Sequence, residues 1–306
     1  MRKAFVETLL SRAKIDKSIH LITGDLGYGV LDQFAAELPK QFTNAGIAEQ
    51  SMMGMAAGLA STGKKVFVYS IGNFTTFRCL EQIRNDVCLM NNSVVIVSVG
   101  AGYAYGAQGY THHAIEDISI MRSLSNLTIF SPCDSFETRS ITKHLAESTS
   151  PSYLRLGKGG EPDIHAAEPE FKVGKPVNVH EGTDGTILFT GSIGINACSA
   201  REILKENDLN VGIYSVPTPN MLNSNFIESI CELGPVITLE ENVKQGGFGS
   251  YFLESINQLQ LEANVRVISA DRTQPSSVGN QEYLRIQNGL SAEKISEQFI
   301  AALQNL

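Results

Sequence analysis

Short runs of apolar, mostly β-branched residues alternate with helix-forming stretches along the whole chain. These runs lie at residues 19–23, 66–71, 93–99, 127–130, 186–190, 211–216, 235–239 and 265–269. Continuous apolar strands separated by helices of about 10–15 residues are typical of βαβ units, whose parallel sheet is covered by helices on both faces. The pattern therefore predicts an α/β fold with two domains, each built on a mostly parallel sheet with helices on both faces.

One stretch interrupts this alternation. Residues 161–182 are rich in Gly, Pro, Glu and His and show no helical period, so we predict a linker there, with a short edge strand around residues 171–173. The first domain is then expected at 1–160 and the second at 183–306. A chain of 306 residues is long enough to give each domain its own hydrophobic core.

The overall composition argues against several classes of protein. A net charge of −8 and a pI near 5.3 give no electrostatic reason to expect a nucleic acid partner. No apolar run approaches the ~20 residues that a membrane-spanning helix needs, and the first residues lack the apolar region of a signal peptide. Five cysteines are scattered without disulfide-like or metal-like spacing, which favours reduced thiols. We expect a cytoplasmic protein with no membrane partner.

A stretch of small and apolar residues from Gly46 to Ser61 is predicted to form one helix, with Gly63 as its C-terminal cap. Gly54 and Gly58 lie about one helical turn apart within it. Glycine inside a helix costs about 1 kcal/mol relative to alanine. Close approach of another helix would compensate for that cost, so we expect a helix contact on this face.

Glu49 is the one carboxylate in this apolar helix. A buried carboxylate without a partner is unfavourable and tends to take up a proton. Two interpretations stay open on spacing alone. The residue is either a first-turn glutamate stabilised by the helix dipole, or an acid held in a dry contact that shares a proton with a bound ligand.

In open α/β sheets, ligands collect at the carboxyl ends of the strands. The loops expected there in the first domain are 24–29, 72–78, 100–113 and 132–135. The third is long and glycine-rich and ends in His112 and His113, and loops of this length without regular structure are usually functional. Adjacent side chains rarely face one metal ion, so we predict instead that one histidine faces a polar substrate.

Three parts of the sequence carry glycines together with a histidine pair or a carboxylate: Asn44–Gln50, Gly109–His113, and Glu240–Asn242 with Gly246–Gly249. Together they resemble the transketolase family and its relative, 1-deoxyxylulose-5-phosphate synthase. The resemblance runs across essentially the whole chain in the family's order, a pyrimidine-binding domain and then a C-terminal domain. The resemblance does not extend to the diphosphate-binding domain that opens a full-length transketolase, so we expect that domain on a separate subunit. The chain therefore resembles the C-terminal, smaller subunit of a split transketolase.

The resemblance implies thiamine diphosphate as cofactor and a catalytic role for Glu49. Glu49 matches the glutamate that hydrogen-bonds N1′ of the aminopyrimidine, where a shared proton lets the ring remove the thiazolium C2 proton. Ile47 belongs to the same motif. Phe74, Phe77 and Arg78 fall where the family packs aromatic or planar side chains around the pyrimidine; the alternative is two core phenylalanines and a surface arginine.

The resemblance also implies a set of substrate-binding residues. His112 matches a catalytic histidine that contacts the substrate carbonyl and hydroxyls, and Asp25 matches an acidic position near the sugar hydroxyls. Gln108 stands where transketolases carry an aspartate that contacts a donor hydroxyl. Lys158 falls where an arginine usually binds the substrate phosphate, and it keeps the charge but not the bidentate geometry. These two departures leave open a modified sugar or a nucleotide-linked sugar as substrate.

Two further patterns are weaker. Gly24-Asp25-Leu26 with Asn44 resembles the magnesium–diphosphate signature of thiamine diphosphate enzymes, but its second glycine is absent and its spacing is too short. We expect no metal site from it. The glycines at 246–249 precede a predicted helix, and without a Gly-x-Gly-x-x-Gly pattern we expect close packing rather than dinucleotide binding.

The implied activity is transfer of a two-carbon ketol unit from a sugar or sugar phosphate donor to an aldose acceptor. It would require thiamine diphosphate and Mg²⁺, with the Mg²⁺ ligands supplied by a separate diphosphate-binding subunit. We expect a dimer of this chain that binds two copies of that subunit. Two alternatives stay open. One is a subunit acting on a 2-oxo acid, like the deoxyxylulose phosphate enzyme or a dehydrogenase β subunit, which residues 106–109 faintly resemble. The other is a non-catalytic scaffold.

Overall fold

The computed structural model describes residues 1–271 and 277–304. Its helices are α1 (Arg2–Ile15), α2 (Asp32–Glu37), α3 (Glu49–Ser61), α4 (Gly72–Thr75), α5 (Leu80–Gln82), α6 (Asp117–Arg122), α7 (Ser135–Glu147), α8 (Gly194–Glu206), α9 (Ser224–Cys231), α10 (Phe248–Leu259), α11 (Gln281–Gln287) and α12 (Ala292–Leu303). Its strands are β1 (Ile19–Thr23), β2 (Phe42–Asn44), β3 (Lys65–Ile71), β4 (Val94–Val99), β5 (Thr128–Phe130), β6 (Ser152–Leu156), β7 (Val177–His180), β8 (Thr186–Thr190), β9 (Gly212–Ser215), β10 (Val236–Val243) and β11 (Val265–Ala270). A π-helix at Ile83–Leu89 follows α5 directly.

The first domain is built on a parallel sheet that has six strands in the described residues, in the order β2-β1-β3-β4-β6-β5. Helices α1 and α7 bury side chains such as Phe5 and Ile141 on one face. Helix α3 buries Met52 and Met53 on the other face. The strands between these layers carry continuous apolar residues because both faces are covered. This arrangement confirms the predicted α/β architecture.

The second domain has a mixed sheet in the order β11-β10-β8-β9-β7 over the described residues, where β7 runs antiparallel to β9. Ala197 of α8 and Phe299 of α12 pack on one face, and Phe252 of α10 packs on the other. Both sheets are therefore mostly parallel and covered on both faces, as predicted. Among the described residues, no helix is both long and apolar enough to cross a bilayer.

The edge strand of the linker region lies later than predicted. The expected position was 171–173, but the strand occupies Val177–His180, where Val177 pairs with Ser215. The reason is a turn in which the Lys175 N–H donates to the Lys172 carbonyl, with Gly174 at a φ of +77°. This turn breaks an extended conformation at 171–173, so the chain can pair with β9 only after it.

Helix α3 begins at Glu49 rather than at Gly46. Gly46 has a φ of +73°, which is the left-handed region, and the Ala45 N–H still donates to the carbonyl of Thr23 in β1. The chain therefore leaves the sheet edge through a glycine turn before the helix starts. At the other end, Gly63 has a φ of +90° and donates to the Ala60 carbonyl, which fits the predicted cap.

The two domains are joined through a buried arginine. Arg155 in β6 is 2% exposed, and its Nε donates to Asp117 Oδ2 over 2.7 Å. Its Nη2 donates to the carbonyls of Ala114 and Glu241 over 2.8 and 2.9 Å, and the Tyr153 hydroxyl donates to the same Asp117 oxygen. Because Glu241 belongs to the second domain, Arg155 fixes that domain against the end of the glycine-rich loop of the first.

Candidate active site

Glu49 lies at the carboxyl edge of the first sheet because α3 starts shortly after β2 ends. Its side chain is 4% exposed, and Oε2 accepts a hydrogen bond from Arg78 Nη1 over 3.0 Å. A cavity of about 350 Å³ opens beside the carboxylate and is lined by Ile47, Ala48, Glu49, Gln50, Ser51 and Arg78. A carboxylate that is buried and yet borders an open cavity is suited to meet a ligand from outside the chain.

Arg78 and two rings extend this site across the sheet edge. The Arg78 guanidinium carbon lies 4.2 Å from the centroid of the Phe74 ring, a cation–π contact. Phe74 in turn meets the His112 ring edge-on, with centroids 5.5 Å apart. The structure thus brings Glu49, Arg78, Phe74 and His112 into one row, although they follow three different strands.

Ile47 presents apolar surface at the mouth of the site, and Phe77, the chain neighbour of Arg78, is also exposed. Ile47 is 78% exposed and lines the cavity beside Glu49, and Phe77 is 44% exposed. Neither side chain finds a core position within the described chain. Exposed apolar side chains next to a buried acid are typical of a surface that a ligand or another subunit covers.

The glycine-rich loop turns the side chains of the adjacent His112 and His113 in different directions. Its second 3₁₀ turn, Tyr110–His112, is held by the Asn73 side-chain amide, which lies 3.0 Å from the Thr111 carbonyl. Thr111 Oγ1 lies 3.0 Å from His112 Nδ1 and orients that ring toward Phe74. His112 is therefore a half-buried ring presented at the sheet edge by a fixed turn.

His113 points the other way. It is 2% exposed, its Nε2 lies 3.2 Å from the Gly106 carbonyl, and its ring packs edge-on against Tyr103. Adjacent residues in this turn place their side chains on opposite sides of the loop. The pair therefore cannot bind one metal ion, and His112 is the histidine that is available to a substrate.

Asp25 lies on the neighbouring loop after β1 in a left-handed conformation, with a φ of +55°. Its Oδ1 accepts hydrogen bonds from Asn44 Nδ2 over 2.9 Å and from the Tyr28 hydroxyl over 2.7 Å. The hydrogen bonds from Asn44 and then Tyr28 lower the pKa of Asp25. Asn44 thus orients an ionised carboxylate at the sheet edge.

Gln108 and Lys158 are both exposed at the same edge, Gln108 in the first turn of the glycine-rich loop and Lys158 after β6. Among the described residues, neither side chain makes a hydrogen bond or an ion pair with the row from Glu49 to His112. The structure therefore places these two predicted residues near the edge without assembling them into the row.

Arg2 is a candidate site residue that the sequence interpretation missed. A methyl group added to Gly159, next to Lys158, would lie 3.6 Å from the Nε and Nη2 atoms of Arg2. Arg2 Nε is buried without a hydrogen-bond acceptor among the described residues. The available signal was topological: α1 leads into the amino end of β1, so its own start must lie at the carboxyl edge of the sheet.

The glycines at 246–249 bind a carboxylate of the chain itself. Glu240 accepts hydrogen bonds from the backbone N–H groups of Phe248 and Gly249 over 2.7 and 2.9 Å. A side chain at Gly247 would come within 2.5 Å of the same carboxylate, so the glycine is needed for close packing. Burial raises the pKa of Glu240 to about 8. The helix end is filled by Glu240, which agrees with the packing role predicted for these glycines.

Sequence profiles of two domains match this chain. The profile of the transketolase pyrimidine-binding domain matches residues 1–161, and that of the transketolase C-terminal domain matches residues 174–295. Together they cover most of the chain, and they follow the division into two sheets described above.

Several curated proteins are similar over most of their length. An apulose-4-phosphate transketolase subunit from Phocaeicola vulgatus is 38% identical over 84% of this chain and 83% of its own length. A putative transketolase C-terminal section from Methanocaldococcus jannaschii is 34% identical over 99% of this chain and 96% of its own. A 6-deoxy-6-sulfo-D-fructose transketolase subunit from a Clostridium species is 30% identical over 96% of this chain and 92% of its own.

A solved structure described as a split-gene transketolase in an inactive β4 tetramer superimposes with a TM-score of 0.89 and 30% identity. The alignment covers 99% of this chain and 97% of that one. The two matched domains, the relatives and this superposition agree across the whole chain. The chain therefore belongs to the transketolase family, and it comprises the pyrimidine-binding and C-terminal domains of that family.

Proposed function

We propose that this chain is the small subunit of a thiamine diphosphate-dependent transketolase, which moves a two-carbon ketol unit from a ketose donor to an aldose acceptor. The observation that carries the proposal is Glu49, a buried carboxylate that borders an open cavity and pairs with a half-exposed arginine. A structural first-turn glutamate would be expected to point into solvent. The position of Glu49 favours an acid that meets the cofactor ring.

The residues around Glu49 fit an aminopyrimidine. The carboxylate can share a proton with a ring nitrogen, and Phe74 with the exposed Phe77 and Ile47 offers apolar surface for a flat ring. Thiamine diphosphate, when bound, would supply the carbanion chemistry that carries the two-carbon unit. Residues of this chain would do the rest: bind the ring, orient it and hold the proton.

Within this proposal, Glu49 holds the shared proton at a carboxylate oxygen. Arg78 fixes the other side of that carboxylate through its 3.0 Å hydrogen bond and is itself fixed by the Phe74 ring. His112, held by its turn, would donate to or accept from the carbonyl and hydroxyl groups of the sugar. Asp25, kept ionised by Asn44, would accept hydrogen bonds from sugar hydroxyls further out.

The substrate is proposed to be a sugar with an anionic end. Arg2 and Lys158 lie on adjoining segments at the same edge, and the buried Arg2 Nε has no acceptor of its own among the described residues. The curated relatives include transketolase subunits named for a sugar phosphate and for a sulfosugar. Gln108, in place of an acidic residue, would favour a donor that differs from the common ketoses at one hydroxyl.

The partner is proposed to be a separate subunit that binds the diphosphate and supplies the Mg²⁺ ligands. Relatives that are themselves named as subunits of a transketolase support this proposal. The face of α3 that carries Gln50, Ser51, Gly54 and Gly58 is exposed in this chain. We propose that it packs against a second copy, giving a dimer of this chain with two larger subunits. The five cysteines, all within the described residues, are free thiols, which suits a reducing compartment such as the cytoplasm.

A reconstitution experiment tests the activity. This chain would be combined with a co-encoded diphosphate-binding subunit, thiamine diphosphate and Mg²⁺, and assayed with a ketose phosphate plus an aldose, and separately with pyruvate plus an aldose. Ketose-dependent transfer without CO₂ supports the proposal. No transfer with either donor would favour the non-catalytic scaffold.

Release of CO₂ from pyruvate in the same experiment would support the alternative of a synthase. Relatives named 1-deoxy-D-xylulose-5-phosphate synthase, 30–32% identical over 98% of this chain, are the observation that favours this alternative. This chain spans 48% of their length. The pyruvate arm therefore separates the two activities directly.

A further inference from the structure

A cysteine, a glutamate and a histidine converge where the first domain meets the linker. The Cys133 sulfur, a Glu137 carboxylate oxygen and a His165 ring nitrogen all lie within 4.8 Å of one another. Cys133 and Glu137 are each 1% exposed, and the His165 side chain is 9% exposed. None of the three belongs to the row from Glu49 to His112.

The local structure fixes all three side chains. Asp134 caps α7 by accepting the Glu137 N–H over 2.9 Å, and Glu137 Oε2 accepts the Cys133 N–H over 2.8 Å. The other carboxylate oxygen of Asp134 accepts the N–H groups of Ile164 and His165 over 3.0 and 2.8 Å. The linker is thereby tied to the start of α7 with the His165 ring over Glu137.

The donor atoms suit one class of ion. His165 Nε2 lies 3.0 Å from Glu137 Oε1, and about this separation is expected for two ligands of one tetrahedral Zn²⁺ at roughly 2.0 Å each. A thiolate with an imidazole and a carboxylate favours Zn²⁺ over Mg²⁺ or Ca²⁺, which prefer oxygen ligands alone.

A fourth position is available from the second domain. The Ser215 hydroxyl at the end of β9 is buried and interacts with the Cys133 thiol. A hydroxyl, or a water held by it, would complete four ligands. We propose that Cys133, Glu137 and His165 form a structural Zn²⁺ site that joins the first domain, the linker and the edge of the second domain.

Binding would replace the hydrogen bond between His165 and Glu137 and would release the thiol proton of Cys133 to solvent. The metal undergoes no redox change, so the step needs no further reactant. Because the ion would tie the linker to α7, binding should raise the stability of the folded chain.

The experiment uses the full chain, freed of metal with a chelator and titrated with Co²⁺ as a spectroscopic substitute for Zn²⁺. We expect one Co²⁺ per chain, with thiolate-to-cobalt charge-transfer absorption in the near ultraviolet. C133S should abolish that absorption, and H165Q should weaken binding by more than about tenfold. C198S, which changes a half-buried cysteine of α8, is the matched control and should bind like the wild type.

Thermal unfolding supplies the second measurement and guards against variants that fail to fold. Zn²⁺ should raise the Tm of the wild type and of C198S, and the same concentration should raise the Tm of H165Q by clearly less. H165Q alters a linker residue, so a folded variant is expected. Absorption that survives in C133S, binding well below one Co²⁺ per wild-type chain, or an equal rise of Tm in H165Q would each overturn the proposal.

Discussion

The guanidinium of Arg78 donates to Glu49 over 3.0 Å, although half of the Arg78 side chain is exposed and the Glu49 side chain is almost fully buried. The pair therefore connects the interior of the chain to its surface at the carboxyl edge of the sheet. Arg78 holds one side of the buried carboxylate through this hydrogen bond and is itself held by its contact with the Phe74 ring. This geometry is the basis of the first two predictions.

Replacing Glu49 with Gln should abolish transfer in the reconstituted enzyme. The amide cannot hold the shared proton, and loss of a positioned acid or base typically costs about 10²–10⁴-fold in rate. Initial rates at saturating thiamine diphosphate would measure the effect. E81Q, which changes an exposed glutamate of α5, should keep full activity. More than a tenth of wild-type turnover in E49Q would remove the catalytic assignment.

Replacing Arg78 with Ala should weaken thiamine diphosphate binding more than it slows saturated turnover. The variant loses both the hydrogen bond to Glu49 and the contact with the Phe74 ring, and such contacts contribute on the order of 1–2 kcal/mol each. We expect the Kd from isothermal titration of the assembled enzyme to rise about tenfold or more. R78K keeps the charge, so its Kd for thiamine diphosphate should lie between those of the wild type and R78A. An unchanged Kd in R78A would show that Arg78 has no part in holding the carboxylate.

Replacing Arg2 or Lys158 with Ala should raise the KM for an anionic ketose and leave kcat nearly unchanged. Each loses one charge-assisted hydrogen bond, worth about 1.5–3 kcal/mol, so an increase of roughly tenfold or more is expected for each. A ketose without an anionic group serves as the control substrate, and its KM should not respond. K158R should bind the anionic donor at least as well as the wild type. An equal rise of KM for both substrates would mean that these residues stabilise the fold and do not bind the anionic group.

Replacing Asp117 with Asn should destabilise the whole chain. Asp117 accepts from Arg155 and Tyr153 in a fully buried position, and removal of one partner from a buried ion pair costs about 3–5 kcal/mol. Urea unfolding followed by circular dichroism would give the change in free energy. D86N, at an exposed aspartate of the π-helix, should change stability by less than about 0.5 kcal/mol. A D117N variant as stable as D86N would exclude this pair as a structural element.

The fold followed from the alternation of apolar runs because strands covered on both faces leave a continuous apolar signal. Strand β1, predicted at residues 19–23, occupies those residues. Strand β2 was missed because a strand of only three residues is too short to show an apolar run or an alternation of apolar and polar residues. Strand β6 was missed because Arg155 and Ser152 interrupt its apolar run, and only the distant Asp117 explains a buried arginine there.

The row at the sheet edge was partly predictable for a similar reason. His112 and Phe74 follow neighbouring strands, so topology alone places them at one edge. The sequence did not indicate that His112 and His113 point in different directions, because this depends on a 3₁₀ turn that ends at His112 and is followed by an extended His113. Arg2 was overlooked as a candidate site residue because only the fold places the start of α1 at the carboxyl edge of the first sheet. The assignment of roles to these residues stays a prediction.

Apart from their chain neighbours and the nearby backbone of α3 itself, no atom of the described chain lies within 4 Å of where a side chain would begin at Gly54 or Gly58. An engineer seeking a more thermostable subunit would select both for replacement by alanine, which favours a helix by about 1 kcal/mol at each position. Such a variant would melt later on its own and yet fail to assemble if a neighbouring backbone must occupy that face. Stability measured on the isolated chain is therefore a misleading guide for improving the enzyme.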